Sequence, residues 1–221
     1  MFFYMITIES TRIHEAGHAL LLISAGHPQV RLGEIHTIRS DDAAGGCGIE
    51  PWWDVREEGW PQWFYPAPDR EAEAALALVA FGGKVAETVV LGRHPTRGWY
   101  NDILTAGLRI ALLGNASRSF VKAISARLEE ARDNQDLSDA LIHRLKSATA
   151  TNSGLEFGPA FVALEAEALR RITASVPAIN ALADALAQNE RLSGAEVLKI
   201  LEGSTWCGVL GVPTIPGVPS T

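Results

Sequence analysis

The sequence predicts a mainly α-helical fold with a small β-sheet, and three observations carry that reading. Residues 10–25 place apolar side chains at helical spacing between a start signal and a stop signal. Residues 30–53 show near-alternation broken by turn chemistry. From residue 69 to residue 201 helical spacing returns and persists, punctuated by glycine, proline and capping residues. With 221 residues and 47% hydrophobic content, the chain can bury a sizeable core.

The first helix is expected over 10–25, with Ser10 or Thr11 as its cap and Gly26 as the left-handed residue after its end. Ile13, Ala16, Leu20 and Ile23 form its apolar side. The same helix carries His14-Glu15-Ala16-Gly17-His18, the pattern H-E-x-x-H. Residues four apart on a helix are neighbours, so His14 and His18 can offer two imidazole nitrogens to one tetrahedral Zn²⁺. Glu15 flanks that ion without having to ligate it, which suits a general base acting on water.

After Gly26, the residues Val30, Leu32, Ile35 and Ile38 nearly alternate, with an interruption at Gly33. That pattern predicts a bulged strand or two short ones. Residues 41–48 are turn chemistry, and 48–53 return as an edge strand ending at Pro51. Residues 51–68 hold Trp52, Trp53, Trp60 and Trp63 with Phe64, Tyr65 and four prolines. Such a segment is either a wall or lid near the metal, or a set of rings packed on the core or a neighbouring subunit; the large apolar area of the rings favours packing.

Residues 69–91 read as one Ala-rich helix with Gly82-Gly83 in its middle, where another backbone should approach closely. Further helices are expected over 101–114, 117–132, 137–147, 159–188 and 193–201. Pro177 divides the long one, and Ser193 caps the last with Glu196 at the capping-box position. The residues after Glu202 carry no charge and are expected to be mobile or docked on a partner.

Composition limits the function classes. A formal net charge of −7 argues against nucleic acid as a principal partner, because phosphate binding needs a basic face. Cys47 and Cys207 make no disulfide framework, so a reducing compartment is the default. The apolar start is too short for a membrane span and lacks the basic flank of a signal peptide, and the apolar run 74–92 carries Lys84 and Glu87. A cytoplasmic protein without a membrane span is expected.

A catalytic zinc wants three protein ligands and one open position. The extended pattern H-E-x-x-H-x-x-G-x-x-H fails, because Leu21 and Ser24 stand where glycine and histidine are needed. Asp41, Asp42, Glu50, Glu87 or Asp102 could supply a carboxylate, and His36 or His94 an imidazole. Spacing does not choose among them.

Three segments narrow the choice: His14-Glu15-Ala16-Gly17-His18-Ala19, then Phe81-Gly82-Gly83-Lys84-Val85-Ala86-Glu87, then Gly98-Trp99-Tyr100-Asn101-Asp102-Ile103. In order and approximate spacing they resemble the peptidase domain of the FtsH-type ATP-dependent zinc proteases, with H-E-A-G-H-A, G-G-R-x-A-E and G-A-x-N-D segments. The stretch 179–201 is similar to the closing helices of that family, so the resemblance covers about 11–203. It implies a zincin-like helix packed in a helical peptidase domain over 1–203, with a metal-site half 1–115, a C-terminal helical half 116–203, and a flexible uncharged tail 204–221.

The resemblance further implies that Asp102 is the third zinc ligand and that Glu87 orients a ligating imidazole. Read from the residues alone, Asp102 could equally cap a helix, with Asn101 as an alternative cap, and Glu87 could be a surface glutamate or the third ligand itself. The implied activity is zinc-dependent cleavage of unfolded polypeptide with Glu15 as general base. Departures from the family are the absence of a Walker pattern G-x-x-x-x-G-K-[ST], Lys84 for arginine, bulky Trp99-Tyr100 beside the N-D pair, and the Trp-rich segment. A separate ATPase and a homo-oligomer are therefore open as partners. The rival reading is a non-catalytic or weakly active interaction module on the same fold.

Overall fold

The computed structural model describes residues 8–38, 45–50, 60, 64, 66–92, 99–128, 135–152 and 156–218. Among these, the fold is mainly helical with one small three-stranded antiparallel sheet. Helix α1, Ile8–Ala25, is its centre. The sequence pattern suggested one apolar side and a start at Ser10 or Thr11. Instead α1 begins earlier, Ser10 and Thr11 are buried within it, and it is covered on nearly every side. It ends at Gly26, whose φ of +60° closes the helix as expected.

Strand β1, Arg31–His36, pairs antiparallel with β2, Gly46–Glu50. The register slips between Leu32 and Glu34, which makes Gly33 the extra residue of a bulge. Ile35 is fully buried, and β1 packs on α1. The other neighbour of β1 is β3, Arg191–Ser193, which pairs Ile35 with Leu192. This strand was not expected, because three residues with one apolar side chain show no readable alternation. The order β2-β1-β3 leaves β2 at a sheet edge.

The stretch Arg70–Leu91 is long and apolar enough to cross a bilayer, yet most of it is buried inside the protein. Sequence periodicity suggested one helix over 69–91. The structure shows two: α2, Arg70–Val79, and α3, Gly82–Leu91, with a turn at Ala80–Phe81. Asp69 caps α2 by accepting from the Ala72 N–H at 2.8 Å. At Gly17, a Cβ would overlap the Gly82 carbonyl, and at Gly82 a Cβ would lie 2.7 Å from the Gly17 carbonyl. The close backbone approach expected at this glycine pair is the crossing of α1 and α3.

Helix α4, Trp99–Leu113, packs on α2 and joins it through buried Arg109, which donates to Glu73 Oε2 at 2.8 Å and stands 4.8 Å over the Phe64 ring. Phe64 is fully buried, and Trp60 lies 5.6 Å from it. These two rings of the aromatic segment therefore pack on the core; its other tryptophans lie outside the described residues. Then follow α5, Arg118–Ser125; α6, Gln135–Asn152; α7, Phe157–Thr173; α8, Val176–Gln188; and α9, Gly194–Glu202. The break between α7 and α8 falls at Ala174–Ser175, so Pro177 sits in the first turn of α8, where its missing N–H costs nothing. Ser193 and Glu196 form the capping box of α9.

The described part of the tail is not loose. Leu210 donates its N–H to the Ser24 carbonyl at 2.8 Å, and Ile215 is buried. Arg171, almost fully buried on α7, donates to Glu167 Oε1 at 2.7 Å, Ser24 Oγ at 3.1 Å and the Gly211 carbonyl at 2.8 Å. One guanidinium thus satisfies a carboxylate, the end of α1 and the tail together.

Gly17→Ala should force the two backbones apart and cost about 1–3 kcal/mol, read as a fall in the urea midpoint. Gly158→Ala, where a Cβ meets nothing within 4 Å, should leave stability unchanged or raise it by less than about 1 kcal/mol.

Candidate metal centre

His14 and His18 rise from α1 one turn apart, their ring centroids 4.7 Å from each other. Each Nδ1 faces an acceptor. His14 Nδ1 lies 2.7 Å from Glu87 Oε1 on α3, and His18 Nδ1 lies 2.8 Å from the Val79 carbonyl at the end of α2. Nδ1 therefore carries the proton on each neutral ring, and each Nε2 presents a lone pair. The two Nε2 atoms stand 3.0 Å apart. Asp102 Oδ2, from the first turn of α4, lies 3.0 Å from His14 Nε2 and 3.4 Å from His18 Nε2. This oxygen is buried and accepts no hydrogen bond.

Three potential electron-pair donors thus converge. Either a proton or a metal ion shared among them would resolve that arrangement. Tetrahedral Zn²⁺ with bonds of about 2.0–2.1 Å sets its donors roughly 3.3–3.4 Å apart, close to the spacings seen. Among the described residues, His14, His18 and Asp102 are the group that could hold a metal ion. The charges respond accordingly. Burial opposes a charge on His14, but Asp102, then Glu87 and Glu15, carry its pKa well above the ordinary imidazole value. His18 is raised as well, against its burial, chiefly by Asp102. Burial alone would raise Asp102, but His18 and His14 hold it far below the ordinary carboxylate range.

Glu15 is buried at 7% exposure, and among the described residues no group hydrogen-bonds its carboxylate. Burial pushes its pKa above the ordinary value, while His14 and His18 pull it back. A carboxylate so placed can take and return a proton. Gly45, just before β2, lies over it: a Cβ there would be 3.1 Å from Glu15 Cγ and 2.8 Å from Thr11 Cγ2. A bare backbone therefore roofs the base.

The sequence-derived candidates divide cleanly. His14, His18 and Asp102 come together, Glu87 reaches His14, and Glu15 stands beside them. Asp102 is not a helix cap, nor is Asn101, because α4 begins at Trp99 and both lie inside its first turn. His36 lies across Gly46, whose Cβ would be 2.8 Å from its Nε2, and Glu50 is exposed at the end of β2; neither joins the group. Asp41, Asp42 and His94 lie outside the described residues.

Two contributors escaped the sequence reading. The Val79 carbonyl carries no signature in its side chain. Gly83 was read as a point of backbone approach, but a Cβ there would overlap the His14 imidazole, so its lack of a side chain seats that ring. Compared with known protein families and curated proteins, the chain matches no family model and no curated sequence.

Gly83→Ala should displace the His14 ring and weaken zinc binding by about 10–100-fold, as loss of a supporting contact typically does. Competition with a chromogenic chelator measures this, with circular dichroism as the check on folding.

Proposed function

We propose that this chain is a zinc-dependent endopeptidase acting on unfolded polypeptide, its α1 a zincin-like helix in a domain of the FtsH-peptidase kind. The observation that carries the reading is the convergence of two Nε2 lone pairs and one orphaned Asp102 oxygen beside an unbonded glutamate. A purely structural zinc site has no use for that glutamate. The three spaced sequence motifs supply independent support.

His14, His18 and Asp102 would hold Zn²⁺, which when bound supplies Lewis acidity and lowers the pKa of water towards about 7. Glu15 would take the proton of the attacking water and deliver it to the leaving amine. Glu87 and the Val79 carbonyl fix both imidazoles in the tautomer that frees Nε2 for the ion. The substrate would run extended along the outer edge of β2, adding as a strand beside the bare backbone at Gly45 and Gly46. Unfolding of a folded substrate would fall to an ATPase module outside these 221 residues, which hold no Walker pattern.

Glu15→Gln should keep zinc and lose activity on an unfolded protein by at least about a hundredfold. Retained metal with undiminished cleavage removes Glu15 from its role. Asp102→Ala should leave the protein substoichiometric in zinc by elemental analysis, and full zinc content would move the third ligand elsewhere. A parent protein that binds zinc yet cleaves nothing, with or without chelator, supports the rival reading of a non-catalytic interaction module.

A further inference from the structure

The interruption between α2 and α3 falls immediately before Gly82-Gly83, a pair that weakens helix continuity. Residues 70–91 contain no proline, and Ala80 and Phe81 both keep right-handed backbone angles, with ψ of −18° and −11°. In an uninterrupted helix the Val79 carbonyl would accept the N–H of residue 83. Across the turn, however, Ala80 donates to Leu76, Phe81 donates to Leu78 at 3.1 Å, and Val85 donates to Phe81 at 3.0 Å. The Val79 carbonyl accepts the His18 Nδ1–H at 2.8 Å.

We infer that this interruption is part of the metal centre, with the Val79 carbonyl as the positioning group for His18; the inference rests on the metal-binding reading of the site. The turn lies at the end of α2, where the Val79 carbonyl faces α1 and accepts from His18. The turn is held by Phe81, fully buried and set edge-on against Phe161 of α7 at 4.8 Å. The same turn re-aims α3. Gly82 then meets Gly17, Gly83 makes room for the His14 ring, and Glu87 reaches His14 Nδ1. One turn therefore sets the tautomer and direction of both imidazoles, through a carbonyl at the end of α2 and a carboxylate on α3.

Backbone chemistry tests this without touching a side chain. Lactic acid in place of Ala80 turns the Val79–Ala80 amide into an ester, whose carbonyl is a weaker acceptor. Phenyllactic acid in place of Phe81 makes an equivalent ester one residue on and leaves the Val79 carbonyl an amide. In the full-length protein, the first ester should weaken Zn²⁺ affinity about 10–100-fold in chelator competition. It should also move the His18 Nδ1–H proton resonance of the zinc-loaded protein upfield. The second ester should retain the parent affinity and resonance. Equal affinity and an unmoved His18 resonance in the first ester, with the parent binding zinc, overturn the inference alone. A parent that binds no zinc overturns the metal-binding reading together with it.

Discussion

Everything about the site follows from two backbones allowed to touch. Where α1 crosses α3, Gly17 and Gly82 remove the side chains that would otherwise hold the helix axes apart. At an ordinary separation of 8–10 Å between axes, Glu87 could not lie 2.7 Å from a ring on α1, and no carbonyl at the end of α2 could reach His18. The crossing is tight because the surrounding core is apolar and close-packed. Its only tolerance for bulk lies in the glycines themselves.

Many of the polar groups set into that core find partners within the chain. His14 and His18 spend their Nδ1 protons on Glu87 and Val79, Arg109 meets Glu73, and Arg171 is divided among three acceptors. Among the buried side-chain atoms that the described residues leave without a hydrogen bond, Asp102 Oδ2 is the carboxylate oxygen; the others are Arg12 Nε, His36 Nδ1, Thr37 Oγ1 and Arg70 Nε. Of these atoms, Asp102 Oδ2 lies within 3.4 Å of both imidazole Nε2 atoms, where an ion could sit.

Much of this was legible in the sequence, and the part that was not has physical reasons. The H-E-x-x-H spacing places two imidazoles on one helix face through geometry alone, and long helical periodicity identified most helices within a few residues of their bounds. The centrality of α1 was harder to read, because burial on all sides depends on neighbours far along the chain. The single helix expected over 69–91 divides at Ala80–Phe81, just before a glycine pair that was read only as room for another backbone. Strand β3 owes its existence to its pairing with β1 rather than to its own composition. By spacing alone Asp102 was one carboxylate among several and only the family resemblance singled it out; the fold brings α4 to the two histidines. Gly83 and Val79 act through an absent side chain and a backbone oxygen, which letters do not display.

The bond between Arg171 and Ser24 joins residues 147 positions apart, and the tail bonds the same end of α1. The helix that carries both histidines thus finds partners far along the chain, at Arg171 and Leu210. Until these are in place it lacks the burial that would hold it in register, and such long-range closure is the slow part of folding. The group of His14, His18 and Asp102 is thus tied to contacts that close late in the chain.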